Sequence, residues 1–148
     1  MTGSTGDRPV VGVIAVVRRG DKVLLAQRSR GAYLGKWGFP GGHVERGETV
    51  VEAGMRELRE ETGVEAEPRG VIAHLDVMDR KPDGSVSFHY VLLAVLADWR
   101  SGEAVAADDA AAVRWLTLEE MAAGVVPLLP DVERIAKMAI APDCGQTR

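Results

Sequence analysis

Glu57, Glu60 and Glu61 stand at positions i, i+3 and i+4. In a helix that spacing gathers three carboxylates on one face, with Cβ atoms about 5–6 Å apart. At an effective dielectric near 20, each such pair repels by about 3 kcal/mol. Such a face is either simply solvated or held together by a hard divalent cation. Mg²⁺ takes one or two carboxylates together with waters and phosphate oxygens, so the chemistry open to this face is work on a phosphorylated substrate. Arg56 and Arg59 project about a third of a turn or more away, which predicts no cation between the glutamates. Val51, Met55, Leu58 and Thr62 form the opposite side, the one expected to enter a core. Gly54 beside them costs about 1 kcal/mol relative to Ala in a helix interior, a cost that close approach by another group would offset.

The elements that must carry this face can be read around it. Thr49 and Glu52 have capping-box spacing and Gly63 offers a left-handed stop, so a helix is predicted from residue 49 to residue 63. Residues 10–17 are an unbroken β-branched run, and residues 22–28 resume a strand after the Gly20-Asp21 turn, which predicts a hairpin. Residues 29–36 read as a loop, and residues 37–44 as short strand pieces broken by Phe39-Pro40-Gly41-Gly42. Residues 70–80 and 87–97 are strand-like on either side of Pro82-Asp83-Gly84-Ser85, a strong turn signal. A short strand over 113–116 and helices opening at Thr117 and Pro130 complete the chain. With no repeat or internal linker, one α+β domain over residues 9–141 is expected, with flexible tails at 1–8 and 142–148.

Composition narrows the partners. The 148 residues are 46% hydrophobic and 27% charged, as in a soluble globular protein. No apolar run approaches the roughly 20 residues that cross a bilayer, so no membrane partner is expected. Lys+Arg total 18 against 22 Asp+Glu, a net charge of -4, which argues against a nucleic-acid duplex as partner. The polar residues 1–7 predict no signal peptide. Cys144, the single cysteine, excludes an intrachain disulfide and a multi-cysteine zinc site, and a cytoplasmic setting is expected. No P-loop and no Gly-x-Ser-x-Gly occurs, and His43, His74 and His89 lack zinc spacing.

The stretch 42–64 carries a longer pattern: Gly42, five residues, Glu48, seven residues, Arg56-Glu57-Leu58, one residue, Glu60-Glu61, one residue, Gly63-Val64. At ordinary residue frequencies its seven fixed letters arise by chance with odds on the order of one in a hundred million. This is the Nudix box, and the chain resembles a Nudix hydrolase over roughly residues 10–121. The resemblance implies a Nudix-type α/β/α sandwich with a mixed β-sheet and a loop–helix–loop catalytic motif. It implies Mg²⁺ or Mn²⁺ held by Glu57, Glu60, Glu61 and the Gly41 carbonyl, with Arg56, Glu48 and Gly42 as structural supports of the site. Gly41 and Gly42 would let backbone approach the metal without a Cβ in the way.

The implied reaction is hydrolysis of a phosphoanhydride in a nucleoside diphosphate linked to another group. Glu60 or Glu61 takes the proton, or Asp109 on the loop before the last strand, which is also a candidate ligand; Glu103 is a weaker one. Arg28 and Arg18, ending the first two strands, are candidates for phosphate contact. Tyr33, Trp37 and Phe39 are candidates to stack a base, and His43 to hydrogen-bond substrate. His89 and Tyr90 point to opposite sides of a strand, so at most one faces the cleft. ADP-ribose or a related nucleotide is the favoured substrate, although Pro82, beyond the box, falls in a hairpin turn and departs from the ADP-ribose pattern. The alternatives are a MutT-type nucleoside triphosphate pyrophosphatase and, in another class, a non-catalytic module that binds nucleotide metabolites. Since many relatives dimerise, a homodimer is among the expected states.

Overall fold

The computed structural model describes residues 8–141; Cys144 and the expected tails, apart from Arg8, lie outside the described residues. The run 10–17 becomes β1 (Val10–Arg19), whose residues alternate between two cores. Val13, Ala15 and Val17 point to one side, where α1 (Val50–Thr62) contributes Ala53, Met55 and Leu58. Ile14 and Val16 point to the other, against α2 (Leu118–Ala122) and α3 (Val132–Ile140), which contribute Met121, Ile135 and Ala136. Helices on both faces explain why β1 is apolar from Val10 to Val17 instead of alternating. The domain is thus an α+β sandwich around one mixed sheet.

The hairpin expected from 10–28 forms only at its turn. β1 pairs with β2 (Lys22–Arg28) at Arg18↔Val23 and Arg19↔Lys22, and then the strands part. Beyond that point β1 runs parallel to β6 (Val86–Ser101), from Val10↔Tyr90 to Arg18↔Asp98. Its other edge takes β4 (Gly41–His43), from Gly12↔His43 to Ile14↔Gly41. β2 pairs with β3 (Trp37–Gly38) and with β7 (Ala110–Thr117). β5 (Glu65–Arg80) hairpins with β6 at the sheet edge. The parting of β1 and β2 brings β4, and the glycines of the box, beside α1.

Arg18, a candidate for phosphate contact, closes the fold instead: its Nε donates to Asp98 at 2.6 Å and its Nη1 to the Ala139 carbonyl at 2.9 Å. Trp37 is a core residue, 8% exposed, and is unavailable for stacking. No helix among the described residues is long and apolar enough to cross a membrane.

Candidate active site

The acidic helix is held at both ends as its sequence predicts. Thr49 Oγ1 accepts from the Glu52 amide at 3.1 Å, the Glu52 carboxylate accepts from the Thr49 amide at 2.9 Å, and Gly63 ends the helix at φ 75°. Its buried side comprises Ala53, Gly54, Met55, Leu58 and Thr62; Val51, expected in that set, is only half-buried. Gly54 faces the sheet, where a Cβ would lie 3.3 Å from Val13 Cγ2 and 3.5 Å from Val95 Cγ2. The close approach that this glycine permits is therefore to β1 and β6, and it sets how near the acidic face stands to β4.

Arg56 does reach the carboxylates, contrary to the expectation from helix projection, because its side chain is long enough to fold back across its own turn. Its Nε and Nη2 donate to Glu48 at 2.5 and 3.0 Å. Nη1 donates to Glu57 at 3.1 Å and Glu60 at 3.2 Å, and Nη2 also to the His43 carbonyl at 3.0 Å. A planar fork of donors suits such a set, and an ammonium does not. The Arg56 bond holds the Glu48 carboxyl below its usual range, and Glu48 in turn raises the guanidinium. On the reading that these glutamates ligate a metal, replacing Arg56 by Lys is expected to lower activity by about 10- to 100-fold. Steady-state kinetics at saturating Mg²⁺ check it.

Alternation in the β1–β4 ladder decides what the box glycines do. Val44 donates to Val11 O at 3.1 Å and Ala15 to Pro40 O at 2.8 Å, so the backbone groups of Gly41 and His43 point away from β1. The His43 carbonyl meets Arg56, and the Gly41 amide lies on the side of the Glu61 carboxylate. A Cβ on Gly42 would lie 2.2 Å from Glu57 Oε2, and one on Gly41 would lie 2.2 Å from Val13 O. Gly42 thus makes room for a carboxylate and Gly41 for a neighbouring strand, which corrects the expectation that both clear space for metal.

Glu61 stands beside Glu57. Burial first, and then the neighbouring Glu57 carboxylate, push the Glu61 carboxyl up to about 9, opposed by the Gly41 amide, with the Asp109 charge adding to the rise. Among the described residues no three His, Cys, Asp or Glu side chains enclose an ion site as they stand; the Glu60 carboxylate is drawn to Arg56. The donor chemistry nonetheless fits a hard dication. Glu61 is largely buried with the Glu57 carboxylate beside it, which disfavours its charged form, and the 46%-exposed Glu60 side chain shares the same helix face.

Glu61 and Gly41 border a cavity of about 600 Å³, a size suited to a nucleotide-sized ligand. Arg28, Phe39 and Asp109 line it as well, together with Tyr33. Asp109 is not drawn into the carboxylate cluster: it pairs with Arg30 at 2.5 Å, with side chains 67% and 64% exposed for Arg30 and Asp109. Glu103 is exposed and is not among the lining residues. Tyr90, not its neighbour His89, borders the cavity. His43 is exposed and stacks on Tyr90 with ring centroids 5.9 Å apart, outside the lining. Sequence reasoning missed Arg30 and the apolar wall of Leu75, Val77, Phe88 and Ile135. Strand and helix periodicity mark these apolar residues as buried-face positions, without showing that a cavity rather than a core lies against them.

Comparison with known proteins adds independent findings. The family model described as NUDIX domain matches residues 6–139. The chain is 34% identical over 113 residues to the ADP-ribose pyrophosphatase of Methanocaldococcus jannaschii, covering 76% of this chain and 64% of that one. It is 33% identical over 129 residues to the NAD-capped RNA hydrolase NudC of Stutzerimonas stutzeri, covering 86% and 42%. The chain therefore spans less than two thirds of either relative. Among solved structures, a MutT NUDIX hydrolase from Burkholderia pseudomallei superposes with TM-score 0.74 at 30% identity, covering 91% of this chain and 100% of the other. A bifunctional NMN adenylyltransferase/ADP ribose pyrophosphatase from Francisella tularensis, solved with AMP and Mn ion, gives TM-score 0.70 at 28% identity, covering 91% and 42%.

Proposed function

This chain belongs to the NUDIX domain family, and from that premise we propose that it is a metal-dependent hydrolase of the phosphoanhydride in nucleoside diphosphates linked to another moiety, ADP-ribose foremost. The observation that carries the reading is the gathering of Glu57, Glu60 and Glu61 on one helix face oriented by Arg56, with Glu61 bordering a nucleotide-sized cavity lined by arginines. Glu57, Glu60, Glu61 and the Gly41 carbonyl hold Mg²⁺ or Mn²⁺. The bound ion supplies charge neutralisation at the phosphates and lowers the pKa of water.

The chain's own residues do the rest. Arg56 and Glu48 fix the carboxylates in place, and Arg28 contacts a phosphate. Phe39 contributes to the wall against the nucleoside, and His43, on its Tyr90 support, meets the substrate at the cavity edge. Water oxygen bonds to phosphorus as the bridging P–O bond breaks, and a carboxylate takes the water proton; Glu60, Glu61 and Asp109 are the acceptors in reach of this region. The substrate is a small molecule.

A second reading, a MutT-type nucleoside triphosphate pyrophosphatase, is favoured by the full coverage of the Burkholderia pseudomallei structure. One screen separates the readings: ADP-ribose, other nucleoside diphosphate derivatives and nucleoside triphosphates are incubated with Mg²⁺ or Mn²⁺ and products identified by mass. AMP plus ribose phosphate from ADP-ribose is expected. Pyrophosphate released from triphosphates alone would favour the second reading. Binding of ADP-ribose without turnover under either metal would overturn both in favour of a metabolite-binding module.

A further inference from the structure

We propose that Arg30 is a substrate-phosphate residue, held in the free protein by Asp109 and surrendered by it when the substrate arrives. The inference rests on the hydrolase reading above and adds to it a residue that no sequence pattern singles out.

Among the described residues, Arg28 and Arg30 are the cationic side chains that line the cavity. A nucleoside diphosphate brings at least two negative charges to a wall that already contains Glu61 and Asp109. Arg28, the phosphate contact proposed above, also builds the loop after β2. Its Nε donates to the Ala32 carbonyl at 2.9 Å, its amide to Lys36 O at 2.9 Å, and its carbonyl accepts from Gly35 at 3.0 Å. Its Nη2 passes 3.6 Å from where a Gly31 Cβ would stand, so the guanidinium is folded beneath that loop.

Arg30 is placed differently. Its Nη2 meets one carboxylate oxygen of Asp109 at 2.5 Å, and both side chains are about two-thirds exposed. An ion pair so open to water contributes little to stability, and a phosphate with two oxygens to offer a guanidinium is the stronger partner. The exchange needs no loop to come apart. Ser29 Oγ donates to the backbone carbonyl of Asp109 at 2.6 Å, so the two loops stay joined while the side chains separate. The released Asp109 carboxylate then remains on the wall it shares with Glu61, where its charge already acts on that group.

The test compares the wild-type protein with Arg30→Ala and Arg30→Lys in Mg²⁺. On the compound turned over best, Arg30→Ala is expected to raise KM about 10- to 100-fold, the loss of one charge-assisted contact, with kcat within threefold. Arg30→Lys recovers part of the loss, since an ammonium serves as a point charge. By calorimetry, the Kd of non-hydrolysable α,β-methylene adenosine diphosphate rises by the same factor and its dependence on salt becomes shallower. A residue that merely braced the loop would leave the salt dependence unchanged. Unaltered KM and Kd in Arg30→Ala, or a weakened affinity with the wild-type salt dependence, would overturn the proposal. The calorimetric arm needs no turnover: a wild-type protein that binds the analogue through Arg30 but hydrolyses nothing would sink the hydrolase reading alone, and one that neither binds the analogue nor turns over any screened nucleotide would sink both.

Discussion

Glu61→Gln is expected to abolish measurable turnover, by about 1,000-fold or more, while making the metal-free protein more stable at alkaline pH. The catalytic loss follows from removing a carboxylate from the proposed ion site, where several kcal/mol of charge stabilisation are at stake and each 1.36 kcal/mol is tenfold in rate. The stability gain follows from proton linkage. Burial, above all, keeps the Glu61 carboxyl protonated in the folded chain up to about pH 9, whereas its ordinary value is 4.5. Between those values the folded chain binds more protons than the unfolded one, so stability falls as pH rises. The contribution is complete below about pH 4.5 and lost as pH climbs through about 9. A neutral amide has no proton to lose, and the decline flattens in the variant. Thermal melts in EDTA from pH 5 to pH 9 read this directly, and parallel curves for the two proteins would refute it. Added Mg²⁺ is expected to restore the wild-type protein at high pH, with proton release at neutral pH, and to do little for the variant.

Gly42→Ala separates the site from the fold in the opposite sense. The new methyl would lie 2.2 Å from Glu57 Oε2 and 2.5 Å from its Cδ, so carboxylate and methyl cannot share the space. The obstructing group is the end of a side chain, which is able to swing aside; the backbone pairing Val13↔Gly42 has no need to break. Melting is expected to stay within a few degrees of wild type, in line with an overpacking cost of about 1 kcal/mol that the moving carboxylate relieves. Activity is expected to fall about 100-fold, because a displacement of about 1 Å in a positioned group costs that much. Equilibrium Mn²⁺ binding should weaken in parallel. Wild-type Mn²⁺ affinity in Gly42→Ala would show that Glu57 does not stand where the ion is held.

What the sequence determined by itself is what neighbours along the chain decide. Thr49, Glu52 and Gly63 mark the helix because capping acts within one turn, and the i, i+3, i+4 glutamates share a face because helical geometry leaves no alternative. The box around them is legible for the same reason, being a string of local spacings. Contacts between distant residues were not legible. The apolar run of β1 reads equally well as a hairpin arm or as a central strand; its long partner proved to be parallel β6, with Arg18 opposite Asp98. Arg56 was misplaced by reasoning from its Cβ direction, since a side chain of that length chooses its position by where acceptors lie, and those come from Glu48 and β4 as well as its own helix. The role of Gly42 appears only once Glu57 is seen against it. Arg30 and Asp109, 79 residues apart, meet because β2 pairs with β7, a register set by burying both faces of the sheet at once. Local hydrogen bonding thus wrote the carboxylate face into the chain, and long-range packing chose what stands opposite it.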